Sequence, residues 1–188
     1  MTEAPSPDLP PGESLPDAAP MGALAANVRP LDLPALAVGH RGAVLRQPDG
    51  SSERLAPAAA VRRISDGLVP MVCHAPATAR RLNTSPFRAL DLLELFAFVR
   101  PATFCRPTPS GLADALELGA PDGIDDEARV LQLAGGALLT DLIRMEPGRD
   151  RDLAAEAARM MEAANWSWTP LVLRALAAEV PPAMDGLA

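Results

Sequence analysis

The spacing of apolar residues changes near residue 75, and this change limits the possible folds more than any other feature of the chain. Up to Cys73 the apolar residues come in short runs, 35–38, 43–46 and 69–73, set apart by turn residues. Runs of that length bounded by Gly and Pro read as short, mostly buried strands. Gly39 and Gly42 split the first two, and Gln47-Pro48-Asp49-Gly50 forms a turn in which Pro presets φ and Gly accepts a positive one. Ser52–Leu55 returns from that turn, so residues 35–55 read as a meander. Pro57 suits a first helical position and Gly67 a helix stop, with Ala58, Val61 and Ile64 on one face between them.

After His74 the apolar period is that of a helix with one buried face. Ala75–Leu82 fits a short helix and Ala89–Asp91 a brief strand. Leu92, Leu93, Phe96 and Val99 follow at helical spacing until Pro101. Thr108 is placed to cap a helix that Gly119 closes. Asp125–Met145 is the longest periodic segment, with Leu131, Leu138, Leu142 and Met145 on one stripe. Asp152–Ala164 forms another helix, and Thr169-Pro170 caps a last one that ends before Pro181. Strands come first, one strand lies between helices, and helices follow. That order predicts an α/β or α+β fold, a mixed sheet with helical cover.

A chain of 188 residues accommodates one domain and a tail. Residues 1–30 hold four acids, one base and seven Pro, too polar a mixture to offset the cost of ordering, so a disordered tail is expected there. The net charge of −7 makes the chain as a whole a poor electrostatic clamp for nucleic acid. Every base is Arg. Without Lys there is no Gly-x-x-x-x-Gly-Lys phosphate loop and no Lys-based covalent chemistry. No run of eighteen apolar residues predicts a membrane span, and no basic, apolar leader opens the chain, so a cytoplasmic protein with no membrane partner is expected. Cys73 and Cys105 lack zinc spacing and read as core fillers, and His40 between two Gly reads as a loop residue. The pairs Arg62-Arg63 and Arg80-Arg81 are the candidates for touching phosphates, against the simpler reading of solvated helix faces. Trp166 and Trp168 suit core packing first and interface docking second.

The stretch Val72-Cys73-His74-Ala75 … Arg81-Leu82 … Ala89-Leu90-Asp91-Leu92-Leu93-Glu94-Leu95 … Arg100-Pro101 … Thr108-Pro109-Ser110-Gly111-Leu112-Ala113-Asp114-Ala115-Leu116-Glu117-Leu118-Gly119 … Asp125-Asp126-Glu127-Ala128-Arg129 resembles the motif order of DnaQ-like (DEDD) 3′–5′ exonucleases. The resemblance implies an RNase H-like fold. Family members hold two divalent metals with four carboxylates. The carboxylates do not carry over. The first strand, Leu36-Ala37-Val38-Gly39-His40, has none. The position five after His74 is Ala79. Glu127 can stand for the third-motif acid, and Asp91 matches a structural position. One carboxylate out of four cannot assemble a two-metal site, so the resemblance implies a degenerate active site with His74, Ala79, Asp91 and Glu127 at its motif positions, no catalytic residue and no metal.

A second resemblance spans most of the ordered part. Val72–Leu82, Leu90–Ala102 with Phe96-Ala97-Phe98-Val99-Arg100-Pro101, and Trp166-Ser167-Trp168-Thr169-Pro170 are similar to the N-terminal region of bacterial DinG-like ATP-dependent DNA helicases. It implies a tail over 1–30, an exonuclease-like domain over 31–147, and a helical extension over 148–188 leading to a helicase motor in cis. ATP, Mg and an iron–sulfur cluster belong to that motor and to no residue of this chain. The partners implied are the motor and single-stranded DNA. Two other readings compete. One is a live nuclease with displaced ligands drawn from Asp91, Glu94, Asp125, Asp126 and Glu127. The other is a stand-alone adaptor.

Overall fold

A computed structural model describes residues 29–178. The expected tail therefore falls, except for Arg29 and Pro30, outside the described residues. Among those described, the fold is α/β, with one mixed five-stranded sheet and seven helices. The strands are β1 (Ala35–Val38), β2 (Ala43–Arg46), β3 (Ser52–Leu55), β4 (Met71–Val72) and β5 (Leu90–Asp91), ordered β3-β2-β1-β4-β5. The meander forms as its turn chemistry predicts. Ala35 pairs with Arg46 and Val38 with Ala43 across β1 and β2, and Gly50 sits at φ 85° with its N–H donating to Gln47 O at 3.0 Å. Strands β4 and β5 add in parallel on the other side of β1. The expected strand over 69–73 is shorter than its apolar run. Pro70 has no N–H for a ladder, and its carbonyl accepts from Leu90 N at 2.9 Å.

The helices are α1 (Pro57–Ser65), α2 (Ala75–Leu82), α3 (Leu92–Val99), α4 (Pro109–Ala115), α5 (Ile124–Arg144), α6 (Arg149–Glu162) and α7 (Thr169–Ala177). Alternation along β1 divides the core in two. Ala35 and Ala37 belong to the larger cluster, shared with α3, α4, α5 and α7. Leu36 and Val38 belong to the smaller one, shared with α1 and α2. The small side chains on one face let α5 lie against β1.

A strap formed by residues 29–33 crosses α5. Leu31 N donates to Gln132 O at 3.0 Å, and a Cβ on Gly136 would lie 2.1 Å from Arg29 O. Gln132 is buried and fully used. Its Nε2 donates to Leu33 O and Gln47 O, both at 3.0 Å, and its Oε1 accepts from Arg46 Nε at 2.9 Å. Ala at 136 would gain roughly 1 kcal/mol of helix propensity. The clash is with backbone and costs about 1–3 kcal/mol. Gly136→Ala is therefore expected to be net destabilising in urea melts, with faster amide exchange at Leu31. Gly135→Ala meets side-chain atoms rather than backbone, Met71 Sδ at 3.0 Å, Leu31 Cδ2 at 3.2 Å and Leu92 Cδ2 at 3.6 Å, and is expected to cost less than Gly136→Ala.

Helices α6 and α7 have no core of their own. Trp168, Val172 and Ala158 belong to the larger cluster, so the expected extension after residue 147 packs on the same core as the sheet. Arg151 of α6 ties three carbonyls together, donating to Met145 O, Leu176 O and Ala178 O at 3.0, 2.7 and 2.6 Å. Thr108 caps α4 as expected, accepting from Gly111 N at 3.0 Å. Thr169 does not cap α7. Trp168 occupies the cap position, and the Thr169 hydroxyl donates across to Ala158 O at 3.3 Å.

Candidate functional site

The parallel strands point their C-terminal ends to one edge, and the motif positions gather there. Val38 ends β1, Cys73-His74 follow β4, and Glu127 arrives on the first turns of α5. They line a cavity of about 40 Å³ together with Ala37, Thr78 and Arg81. His74 stands just before α2 with extended backbone, and its side chain makes no capping bond. Positions 74, 78 and 81 share a helical face, which brings Arg81 over the same cavity. Its Nη1 donates to Val38 O at 2.9 Å.

Burial pushes the Cys73 thiol up to about 12, and the negative groups Asp91, Cys105 and Glu127 add to this while Arg81 opposes it. Such a thiol is a poor nucleophile at neutral pH. Burial also raises the Glu127 carboxyl, and the Arg81 charge pulls it back. Cys73 and Cys105 are both partly buried and pack against the larger core, as filler residues would, Cys105 from the loop before α4.

The other acids are committed elsewhere. Asp91 is 3% exposed, and its carboxylate accepts three backbone N–H groups: Ala75 at 2.7 Å, Leu93 at 2.9 Å and Glu94 at 3.4 Å. It holds the N-termini of α2 and α3, a structural role. Asp125 pairs with Arg54, and Asp126 binds Arg129 Nε at 2.6 Å, which lowers its carboxyl. Glu94 lies away from the cavity, beside Trp166. Its carboxyl is raised by burial and then by the charge of Asp91. The buried Trp166 N–H lies beside Glu94 without meeting it in a regular hydrogen bond.

Ala79 is buried in α2 and does not line the cavity. Among the described residues, no group of three or more His, Cys, Asp or Glu is arranged to hold a metal ion. The donor set at the edge therefore does not fit the two-metal centre of an exonuclease. It offers one carboxylate, one imidazole, a deactivated thiol and a guanidinium.

The four Arg do not converge. Arg63 donates to both Glu53 oxygens at 3.1 and 2.9 Å. Arg81, also exposed, donates to Val38 O. Arg62 and Arg80 stand exposed on α1 and α2, without an ion pair among the described residues. His40 lies in the β1–β2 connection, as expected of a loop residue. Of the two adjacent Arg on α2, Arg81 has a backbone partner, Val38 O, and Arg80 has no side-chain partner among the described residues. The 74, 78, 81 spacing is the signal that separates them. Among the described residues no helix is long and apolar enough to cross a membrane. Compared with known proteins, the chain matches no family model, no curated protein and no solved structure.

Proposed function

We propose that the chain is a non-catalytic, exonuclease-like N-terminal module of a DinG-like ATP-dependent DNA helicase, RNase H-like in fold, that positions the motor or its DNA. One observation carries the reading. The edge where a nuclease of this kind would gather its carboxylates holds the cavity-lining motif residues His74 and Glu127, but Ala37 and Gly39 stand at the end of β1, and Asp91 is spent on helix caps. The mixed sheet, with two parallel strands added beside an antiparallel meander, is of the kind such a fold calls for. ATP, Mg and the iron–sulfur cluster belong to the motor.

The test is a nuclease assay on labelled single-stranded DNA with Mg²⁺ or Mn²⁺, paired with the ATPase rate of a DinG-like motor lacking its front module. No cleavage is expected, and adding this chain in trans should alter the motor's DNA-stimulated rate. Cleavage that Glu127→Ala abolishes would overturn the reading in favour of a live nuclease. An unchanged motor rate would favour a stand-alone adaptor.

DNA contact has its own signature. Arg81 is held by Val38 O, so Arg80 is the member of the pair free to meet a phosphate. The double substitution Arg80→Ala/Arg81→Ala should reduce the salt slope of single-strand binding by about 0.7, one phosphate rather than two. An unchanged slope excludes α2 as a contact.

A further inference from the structure

We propose that the groove between α3 and the end of α6 is a docking site for a partner protein's apolar segment that carries an Arg or Lys, with Glu94 receiving the basic group. The proposal stands apart from the exonuclease-like reading above.

Three observations carry it. First, the groove is open to solvent, has a volume of about 720 Å³, and is given an apolar lining by Phe87, Phe98, Met161 and Trp166. Second, an exposed apolar stripe of α6 leads to it. Leu153 and Met160 are 50% and 66% exposed, two of the three large hydrophobics that stand in solvent among the described residues. Seven residues apart, they share a face of α6, and Ala164, four residues after Met160, lines the groove. Third, Glu94 stands exposed in the groove and forms no ion pair among the described residues. Its neighbour, the buried Trp166 N–H, makes no regular hydrogen bond with it. Burial and then the charge of Asp91 push the Glu94 carboxyl up, so an incoming cation relieves both.

These features define the chemistry of the partner. Leu153 and Met160 lie about 10 Å apart along the axis of α6, so an occupant that covers both stripe and groove is a stretch of chain, not a small molecule. A carboxylate among aromatic rings favours a guanidinium or ammonium, which gains from the charge and from the ring faces together. Arg88 also lines the groove, together with a neighbouring cleft beside Glu162, and pairs with neither acid among the described residues. The net charge of −7 steers a basic segment towards the chain and repels nucleic acid. The two tryptophans thereby divide the roles that their residue type allows: Trp168 fills the core, and Trp166 forms part of a docking surface.

The experiment pans a phage library of random dodecapeptides against the immobilised full chain. Enriched peptides should set an Arg or Lys beside Leu, Ile, Phe or Trp. The best of them, synthesised and titrated, should bind Glu94→Gln about tenfold more weakly, the loss expected when one charge-assisted contact goes. Ala97→Arg places a base in the groove from an exposed position of α3 and should abolish binding, and Met160→Ser should weaken it. Arg62→Ala, on α1, should leave binding unchanged. These positions are all exposed, and circular dichroism checks that each variant keeps its helices.

Enriched peptides without a basic residue, or a Glu94→Gln chain that binds them like wild type, overturn the cationic partner. Peptides that bind Ala97→Arg as tightly as wild type sit elsewhere and overturn the site. No enrichment on the full chain means that the groove is not open to a partner, which also overturns it. A dimer in sedimentation velocity that Ala97→Arg dissolves gives the face to a second copy of this chain instead.

Discussion

Trp168→Ala should be the most damaging single substitution in the fold, lowering the unfolding free energy by about 3–5 kcal/mol. Trp168 is 0% exposed and is among the largest fully buried side chains of the protein. It opens α7 yet reaches the sheet, where its Nε1 donates to Asp91 O at 2.7 Å. Trp168 belongs to the larger core cluster, to which α3, α5 and α6 also contribute, so the hole left by an indole is not closed by moving one element. Urea or thermal unfolding checks the expectation, with a fall in Tm of about 10 °C. Trp168→Phe separates the contributions. It keeps most of the packing and removes the N–H, so its cost should be that of one buried hydrogen bond, about 1–2 kcal/mol. A Phe variant as unstable as the Ala variant would mean that the bond to Asp91, not the packing, dominates. Trp166 gives the contrast. It packs at a tilt against Phe98, 4.9 Å between centroids, but its buried N–H makes no regular hydrogen bond. Trp166→Phe therefore removes an unsatisfied donor and should cost less than Trp168→Phe.

The two tryptophans also show how far local reading of the sequence reaches. The Trp166-Ser167-Trp168 stretch could be assigned to core packing by residue type alone, and both residues are buried. That Trp168 is the link between α7 and β5 depends on a contact 77 positions away, which no local pattern encodes. The same division holds elsewhere. The meander, the helix starts at Pro57 and Thr108 and the long α5 are set by Pro, Gly and apolar spacing, which act over a few residues, and the structure has them within one or two positions of expectation. Strand β4 shrank because Pro70 breaks a ladder that hydrophobicity alone would extend. Thr169 looked like a cap because Thr-Pro is a common helix opening. A tertiary acceptor, Ala158 O, took its hydroxyl instead.

At the candidate site, the absence of carboxylates from β1 is a statement about residue types and was legible at once. The contact of Arg81 was not, because two adjacent Arg on a helix point about 100° apart and only the packed sheet decides which one reaches the end of β1. Gln132 was invisible for a similar reason. A lone Gln on an apolar helix becomes a hub only when Leu33, Arg46 and Gln47 are folded around it.

Asp91→Ala is expected to cost about 3 kcal/mol, since it strips acceptors from the starts of two helices in one step. Loss of an ordinary N-cap costs about 1 kcal/mol. Asp91 does more than an ordinary cap. It accepts from Leu93 and Glu94 at the start of α3 and from Ala75 at the start of α2, all from a side chain 3% exposed. Burial makes each orphaned N–H costlier than it would be at a surface cap, because water cannot replace the lost oxygen. Asp91→Asn distinguishes this account from a metal-ligand role. Asn keeps one acceptor oxygen for α3 or α2 but not for both, so about half the loss should return. Neither variant should alter any response to Mn²⁺, because the three backbone donors already occupy the carboxylate. The bond from Trp168 to the Asp91 carbonyl adds a final expectation. Asp91→Asn and Trp168→Phe perturb the same junction of β5, α2, α3 and α7, so the double variant should fall short of the sum of the singles by at least about 0.5 kcal/mol. Strict additivity would mean that the caps and the indole bond are independent supports, and that β5 is not the shared anchor of the two helix pairs.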